Sequence, residues 1–437
     1  MLVPWSRPFF IVLLLFASIV PFARGQSNDV ISDDARFWLM TILPGDEIYS
    51  TWGHSAIRVH DPERGFDVSF NYGTFDFDAY FLPKFLYGEL DYLLSVQDYH
   101  LALASYREAE RPVIEQELRL SAAQKDSLFA FLQINALPEN RVYRYHFLYD
   151  NCSTRIRDVF EQALGTDISF ADAPDPRKSF RHLLDSGLHV RPFIDAGIDW
   201  LFGSPVDRVA QPYETMFLPV YLMDAFDQAT IQIEDRRMPL VASADTVFWI
   251  PDRSTSMQTF PWATTVAWCI FAMGLYVTVR NVAGGGRRED VRSGEGGRGG
   301  KGDRAGQGAR GGEGGSAVAR WFDVPLFTLV GLAGIIIAFL WFVSLHDVTE
   351  RNWHLLWSWP THVIVAVALW RRSSEPWVSA YLLAAAAVAL TIAALGPFLN
   401  QWIHPALYPI MLVTTLRGGW IFIAQRRRAV PTPVTRT

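Results

Sequence analysis

The chain has 437 residues, of which 50% are hydrophobic and 19% charged, and its formal net charge is −6. This mildly acidic balance excludes a protein that binds nucleic acid mainly through a basic surface. The length leaves room for a sizeable folded core, and the uneven distribution of apolar residues indicates a water-exposed part and a membrane part.

The first 25 residues have the pattern of a secretory signal peptide. Arg7 gives a positive start, residues 9–20 are apolar, and Ala23 and Gly25 fit a small-x-small cleavage motif. The apolar stretch is too short for an ordinary spanning helix. We therefore expect residues 1–25 to export residues 26–257, as a cleaved signal or as an uncleaved anchor.

Residues 26–257 predict an exported domain that mixes strands and helices, so the expected fold class is α+β. Apolar periodicity and turn residues predict helices over 31–40, 106–116 and 121–135, the last with Ser121 as N-cap, and strands over 47–50, 55–60 and 66–72. A strand over 141–148 then precedes an amphipathic helix over 153–164. Further helices are expected over 177–186, 194–201 and 213–229, followed by strands between 230 and 250.

The rest of the chain predicts membrane helices interrupted by one polar segment. An apolar run over 258–280 and four more within 320–428 predict an all-α bundle of five transmembrane helices. The third run, 355–370, has the weakest pattern because it is short and contains Pro360 and His362.

Charge distribution predicts how this bundle is oriented. Residues 281–319, rich in Gly and Arg, predict a disordered linker, and residues 429–437 form a tail. Lys and Arg cluster on one side of the expected spans. The positive-inside rule therefore places the linker and the carboxy terminus in the cytoplasm, with the exported domain on the opposite side of the membrane.

Cys152 is the strongest candidate for a reactive group. It is one of two cysteines in the chain, and it has no partner in the exported region for an internal disulfide. The strand-to-helix pattern places it in the first turn of a helix, where the helix dipole and the nearby Arg155 favour a thiolate. The alternative is a buried small hydrophobic side chain, the usual role of a free cysteine.

A cysteine nucleophile needs a base, and His54 has the most suitable position among the exported histidines. It follows Gly53 at the start of a predicted strand, where it can face a helix N-terminus. On the neighbouring strand, Asn71 or Tyr72 could orient the imidazole. The alternative is that Tyr72 is a core aromatic and Gly73 a bulge. No zinc motif and no nucleophile elbow is present, so we expect neither a metal nor a cofactor.

Three spaced blocks carry a family resemblance. They are Trp52-Gly53-His54-Ser55, Asn71-Tyr72-Gly73-Thr74-Phe75-Asp76-Phe77 and Asp150-Asn151-Cys152-Ser153-Thr154-Arg155. Together they resemble the Lnb-type lipoprotein N-acyl transferases, and the order of His before Cys resembles the permuted NlpC/papain-like cysteine domains. The segments around His354 and His404 resemble the membrane half of longer family members. The resemblance implies a permuted papain-like domain with Cys152 as nucleophile and His54 as general base.

The resemblance also implies an activity. The family moves an acyl chain from the diacylglyceryl cysteine of a bacterial lipoprotein to its α-amino group. The implied partners are therefore lipoproteins and membrane lipid, and the implied location is the bacterial inner membrane with the exported domain in the periplasm. The candidates for contact with substrate or the membrane surface are Asn151, Arg155, His354 and His404. The alternative for the two histidines is that they anchor at the membrane interface with Trp353 and Trp402. Two other classes stay open, because one fold can serve several functions. They are a cell-envelope cysteine peptidase or amidase, and a non-enzymatic envelope assembly protein. The oligomeric state is not indicated.

Overall fold

The computed structural model describes residues 31–75, 80–171, 177–250, 260–294, 305–373 and 375–429. The chain divides into two compact units. We call them the sheet unit, within Met1–Asp76, Asp91–Pro174 and Tyr213–Asp252, and the bundle unit, within Phe77–Leu90, Asp175–Pro212 and Arg253–Thr437. The predicted signal segment 1–25 and residues 430–437 of the predicted tail lie outside the described residues.

The sheet unit contains two antiparallel sheets. Its strands are β1 (Arg36–Ile42), β2 (His54–Asp61), β3 (Phe66–Thr74), β4 (Asp91–Asp98), β5 (Val113–Leu118), β6 (Val142–Arg144), β7 (Ile168–Ser169), β8 (Thr230–Ile233), β9 (Arg236–Pro239) and β10 (Val241–Phe248). Seven strands form the main sheet in the order β10-β5-β1-β2-β3-β4-β6, and β7, β8 and β9 form a small one. Each strand pairing is antiparallel.

The helices divide between the two units. Those of the sheet unit are α2 (Tyr99–Glu108), α3 (Ala122–Ala136), α4 (Cys152–Leu164) and α7 (Pro219–Gln228). Those of the bundle unit are α1 (Phe81–Tyr87), α5 (Phe180–Leu188), α6 (Pro192–Leu201), α8 (Trp262–Gly294), α9 (Ala305–Phe342), α10 (His362–Trp370), α11 (Pro376–Leu395) and α12 (Leu407–Ala429). An α+β exported region followed by a helical region is therefore confirmed, whereas the permuted papain-like topology is not.

The main sheet carries apolar side chains on both faces. One face, including Leu39 and Ile57, packs against α3, α4 and α7 in the largest core cluster. The opposite face, including Met40 and Ala56, packs against α2. Neighbouring residues of a strand point to opposite faces, so a strand that is covered on both sides has an almost continuous apolar sequence.

This double burial explains one wrong prediction. The predicted helix over 31–40 is an irregular segment followed by β1, which starts at Arg36 and lies between β2 and β5. A short apolar run without alternation fits a buried helix as well as a buried strand. Only the pairing with both neighbours decides in favour of the strand.

Three other boundaries also differ from the predictions. The predicted helix over 106–116 is the end of α2 and the start of β5, separated by a reversal at Glu110 (φ 50°) and by Pro112, which cannot continue a helix. Residues 48–50 form a 3-10 turn instead of a strand, and β6 covers only three residues of the predicted 141–148 strand. In contrast, α3 begins after Ser121, whose side chain completes a capping box as its sequence predicts.

Within the part of the chain that the structure describes, four helices of the bundle unit are long and apolar enough to cross a membrane. The spans are Trp262–Ala283, Ala317–Phe342, Pro376–Phe398 and Leu407–Arg427. The fifth predicted span, 355–370, instead contains irregular backbone and the nine-residue helix α10. A helix of that length measures about 14 Å, which is half of the hydrocarbon thickness. The prediction of five spans is therefore not confirmed.

The irregular backbone before α10 packs closely against α9. A Cβ atom at Gly334 would lie 1.7 Å from the carbonyl oxygen of Ser358, and one at Gly331 would lie 2.8 Å from the backbone nitrogen of Val363. The two glycines therefore permit a contact that any larger residue would prevent. Non-helical backbone is tolerated in membrane proteins where protein covers it in this way.

Helical backbone also extends into both ends of the predicted disordered linker. α8 continues to Gly294 and α9 begins at Ala305, so only residues 295–304 between them lie outside the described residues. Once a helix is nucleated, each further residue adds one hydrogen bond, which lets the apolar spans propagate into a polar sequence.

The bundle unit contains a buried ion pair. Arg417 of α12 is 1% exposed and donates through Nε and Nη2 to the two carboxylate oxygens of Asp323, at 2.7 and 2.9 Å. Its Nη1 donates to Thr278 Oγ1 at 2.7 Å. The guanidinium therefore links α12 to α9 and α8, so its charge is balanced within the bundle.

This ion pair gives a stability prediction. We expect Arg417→Ala to lower the thermal unfolding midpoint of the full chain in detergent, because it leaves Asp323 buried without a counter-charge, at a cost of about 3–5 kcal/mol. The double variant Asp323→Asn with Arg417→Gln should recover part of the loss, since neither charge remains. An unchanged midpoint in both Arg417→Ala and Asp323→Asn would contradict a stabilising role for this ion pair.

Candidate active site

Cys152 is the first residue of α4, at the end where the helix dipole is positive. Asn151 is the N-cap, and its Oδ1 accepts hydrogen bonds from the N–H groups of Ser153 and Thr154, at 2.9 and 3.0 Å. Asn151 Nδ2 donates to two backbone carbonyls, so both ends of this side chain hold the start of α4. The Cys152 N–H is in the first helical turn and has no acceptor within the helix.

His54 is the first residue of β2, directly after a glycine with positive φ. Gly53 has φ 86°, and a Cβ atom there would lie 2.7 Å from the carbonyl oxygen of Ile42. Any other residue would therefore both strain the backbone and collide with β1. The glycine sets the direction in which the chain enters β2, and hence the position of the imidazole.

Asn71 of β3 holds the imidazole from the side of the neighbouring strand. His54 Nε2 lies 2.7 Å from Asn71 Oδ1, so Nε2 carries the proton and Nδ1 is the nitrogen left to face Cys152. Gly73, at a β-bulge with φ 105°, lies against both groups. A Cβ atom there would be 3.7 Å from Cys152 Cβ and from His54 Cε1.

The environment of Cys152 lowers its thiol pKa. Burial by itself raises the pKa, but the charge of His54 and a side-chain hydrogen bond with it act in the opposite direction and outweigh burial. The Ser55 N–H and the Ser153 hydroxyl add further hydrogen bonds to the sulfur. A thiolate is the nucleophilic form of cysteine, so this arrangement favours attack on an electrophilic carbon.

Two residues next to the reactive pair join the strand to the helix. Ser55 Oγ and Ser153 Oγ lie 3.0 Å apart, and both side chains are buried. Asn71 Nδ2 donates to the Tyr106 hydroxyl at 3.4 Å, which fixes the amide that holds His54.

Sequence reasoning did not identify Ser55, Ser153 or Tyr106. The signal for the two serines was their position, each directly after a candidate residue.

Tyr72 and Arg155 take other positions. Tyr72 is 2% exposed, its ring packs edge-on against Tyr143, and its hydroxyl has no hydrogen-bond partner among the described residues. Burial raises the pKa of this phenol above its ordinary value. Arg155 forms a bidentate pair with Asp150 and lies 4.2 Å over the Tyr143 ring. Of the two proposed orienting residues, Asn71 is therefore the one hydrogen-bonded to His54.

His354 and His404 belong to the bundle unit. His354 is fully buried, and its Nδ1 accepts a hydrogen bond from Trp357 Nε1 at 3.1 Å. Burial, with a smaller contribution from the charge of Arg181, lowers its pKa to about 3, so it is neutral at physiological pH. His404 Nε2 lies 3.6 Å from Asp195 Oδ2. Each imidazole thus has a contact within its own unit.

One group of carboxylates could hold a metal ion. Oxygens of Asp185, Asp195 and Asp199 lie within 4.8 Å of one another in the bundle unit. Asp199 is already bound to Arg181 at 2.6 Å. Burial and the neighbouring carboxylates raise the pKa of Asp185 to about 8, so protonation can relieve the repulsion in this group. Neither Cys152 nor His54 is a member of this group.

Comparison with protein families matches both parts of the chain. The family model described as the Lnb N-terminal periplasmic domain matches residues 24–186, and the model described as the Lnb transmembrane domain matches residues 315–428. The first match includes His54, Asn71 and Cys152, and the two together cover more than half of the chain. No curated protein and no solved structure is significantly similar to the chain.

The site geometry predicts how the reactivity of Cys152 depends on pH. We expect His54→Ala, in a Cys269→Ser background, to raise the thiol pKa, because burial then acts without the nearby charge and hydrogen bond. The measurement is the rate of alkylation by iodoacetamide across pH, with the labelled residue identified by mass spectrometry. His60→Ala, at the other end of β2, is the matched control. If the pH midpoint of the alkylation rate did not change after His54→Ala, that result would contradict the pairing of His54 with Cys152.

Proposed function

This chain belongs to the Lnb family, and from that premise we propose that it is a membrane-anchored cysteine acyltransferase that N-acylates bacterial lipoproteins. The observation that carries the proposal is the Cys152–His54–Asn71 arrangement within the region matched by the periplasmic domain model. Family membership indicates a membrane-anchored protein of lipoprotein processing, and the arrangement supplies a chemistry for that role.

The first step is transfer of an acyl chain to the enzyme. His54 Nδ1 accepts the thiol proton, and Cys152 Sγ attacks the carbonyl carbon of an ester on the diacylglyceryl group of the lipoprotein. The negative charge that develops on the carbonyl oxygen is stabilised by the Cys152 N–H at the positive end of α4. The carbon–oxygen ester bond breaks, the glyceryl oxygen takes the proton from His54, and a thioester remains on Cys152.

The second step gives the acyl chain to an amine. The neutral α-amino group of the lipoprotein attacks the thioester carbon, His54 accepts one amine proton, and the carbon–sulfur bond breaks. The proton returns to the thiol, and the products are an amide and a lipoprotein with one free glyceryl hydroxyl. The same intermediate would be hydrolysed if water attacked first, so the transferase reaction requires that water is excluded.

Asn71 has a positioning role in this scheme. By accepting the Nε2–H hydrogen bond, it fixes the tautomer in which Nδ1 is free to take a proton, and it stabilises the imidazolium that forms. A neutral amide fits this task because it orients the ring without adding a negative charge next to the thiolate.

The membrane half explains why such an enzyme would be anchored. The acylated amino terminus of a lipoprotein lies at the membrane surface, so a thiol that acts on it has to be kept at that surface. Charge distribution supports an inner-membrane location with the carboxy terminus in the cytoplasm. Because the amino-terminal domain is periplasmic, that orientation requires a fifth span in addition to the four long apolar helices. A fifth span would require the α10 region to cross the bilayer together with its irregular flank.

The main test is the state of lipoprotein amino termini in cells. We expect cells in which this protein is the only N-acylating enzyme to lose N-acylated lipoproteins when Cys152 is replaced by Ala, because no thioester can form. Mass spectrometry of the amino-terminal peptides measures this directly. Cys269→Ala, which removes the other cysteine of the chain, is the matched control and should leave N-acylation intact.

The outcomes of this experiment separate the three functional classes. Unchanged N-acylation in Cys152→Ala would rule out the proposed transacylase. Fatty acid released from the diacylglyceryl group without formation of an amide would indicate a hydrolase. Loss of the protein from the membrane in Cys152→Ala, measured by immunoblot, would point to a structural role for the cysteine.

Comparison of Asn71 with its neighbour on β3 tests the orienting role. We expect Asn71→Ala to lower the rate of acyl transfer by about 10–100-fold, because the imidazole loses its fixed orientation while the base itself remains. Tyr72→Phe should have little effect, since it removes a hydroxyl that has no partner among the described residues. Rates are measured with purified protein and a diacylglyceryl lipopeptide. Equal losses in the two variants would argue against Asn71 as the orienting residue.

A further inference from the structure

The helix α1 has a composition that does not suit an aqueous surface. Its sequence is FLPKFLY, none of its seven residues is buried, and Lys84 carries its one charge. Leu82 is 63% exposed, and Leu86, one turn later on the same side, is 40% exposed. A helix that is apolar on all sides is normally enclosed by protein or by lipid, and a seven-residue helix has little stability in water.

This helix is attached to the end of a membrane span. Leu345 donates its N–H to the Tyr87 carbonyl at 2.7 Å, and His346 Nε2 lies 2.7 Å from the Phe85 carbonyl oxygen. Gly88, with φ 90°, ends the helix in a left-handed cap, and a Cβ atom there would lie 3.0 Å from Leu345 Cβ. These contacts lie within the bundle unit, directly after the span Ala317–Phe342.

The exposed apolar surface continues from α1 onto this end of the span. Phe342 is 68% exposed, Val343 52% and Leu345 57%. Aromatic residues are typical of the boundary between membrane and water, and α1 contributes Phe81, Phe85 and Tyr87 to this boundary region. The matched periplasmic domain model includes α1, so this boundary is the one that faces the periplasm.

We propose that α1 inserts into the periplasm-facing leaflet of the membrane, where lipid acyl chains cover the surface formed by α1 and residues 342–345. The occupant is lipid because the surface is continuous with a membrane span, is tied to the end of that span by backbone hydrogen bonds, and carries a single charge. α1 is thus a second membrane contact, made by the connection between β3 and β4, in addition to the spans. This inference depends on the membrane anchoring of the chain and not on acyl transfer.

Spin labels on α1 test this proposal. Leu82→Cys and Leu86→Cys are each made in the full chain carrying Cys152→Ala and Cys269→Ala, labelled with a nitroxide and placed in nanodiscs of phosphatidylethanolamine and phosphatidylglycerol. Power saturation then compares collision with oxygen, which concentrates in the bilayer, and with a nickel chelate, which stays in water. Leu390→Cys on α11, 49% exposed, gives the bilayer reference, and Ile134→Cys on α3, 57% exposed, gives the water reference.

The expected result is an oxygen-to-nickel ratio at positions 82 and 86 that is severalfold above that of position 134 and closer to that of position 390. A ratio equal to that of position 134 would overturn the proposal, because α1 would then be in water. Strong shielding from both reagents would also overturn it, since protein instead of lipid would cover the helix. The labelled side chains are exposed, so the substitutions should not disturb the fold. The conclusion depends on the collision ratios alone, whether or not a separate Leu82→Ser variant loses N-acylation.

Discussion

The hydrogen bond between Ser55 and Ser153 is the contact on which the candidate site depends. These buried hydroxyls, 3.0 Å apart, join the start of β2 to the first turn of α4. The preceding residue on each element is a member of the proposed catalytic pair, His54 on the strand and Cys152 on the helix. A buried hydroxyl without a partner is costly, so the two elements are favoured in the one arrangement that pairs them. The base and the thiol are brought together by the same contact.

Burial around this contact has two opposite consequences for the thiol. The apolar and aromatic surroundings, including Tyr92 and Tyr145, would keep Cys152 protonated. Burial, and to a smaller extent the negative charge of Cys152, raises the pKa of both phenols. His54 reverses that preference by supplying a positive charge and a hydrogen bond where water is scarce. In a surface site, solvent would weaken the same interaction. In the proposed mechanism, this combination of burial and pairing favours the thiolate and would also protect a thioester from water.

The bundle unit balances a buried charge internally, since Arg417 is paired with Asp323 and bonded to Thr278 and an unpaired charge inside a bundle is strongly unfavourable. Its close helix contacts depend on glycines, such as Gly334 against Ser358. α1 departs from this pattern, since its apolar residues face outward, and lipid is the solvent in which such a surface is stable.

The sequence by itself determined the division into an exported α+β part and a helical membrane part. It also determined the helix that starts at Cys152, and it identified His54 and Asn71 as two candidate partners of that cysteine. These follow from local signals: apolar periodicity, a strand-to-helix junction, and the glycine that precedes His54. It did not determine that β1 is a strand, which of Asn71 and Tyr72 bonds to His54, or that the α10 region is largely irregular. Those outcomes depend on strand pairing, on which face of β3 each side chain occupies next to the Gly73 bulge, and on packing against α9. Such contacts join residues far apart in the chain, and only the tertiary structure specifies them.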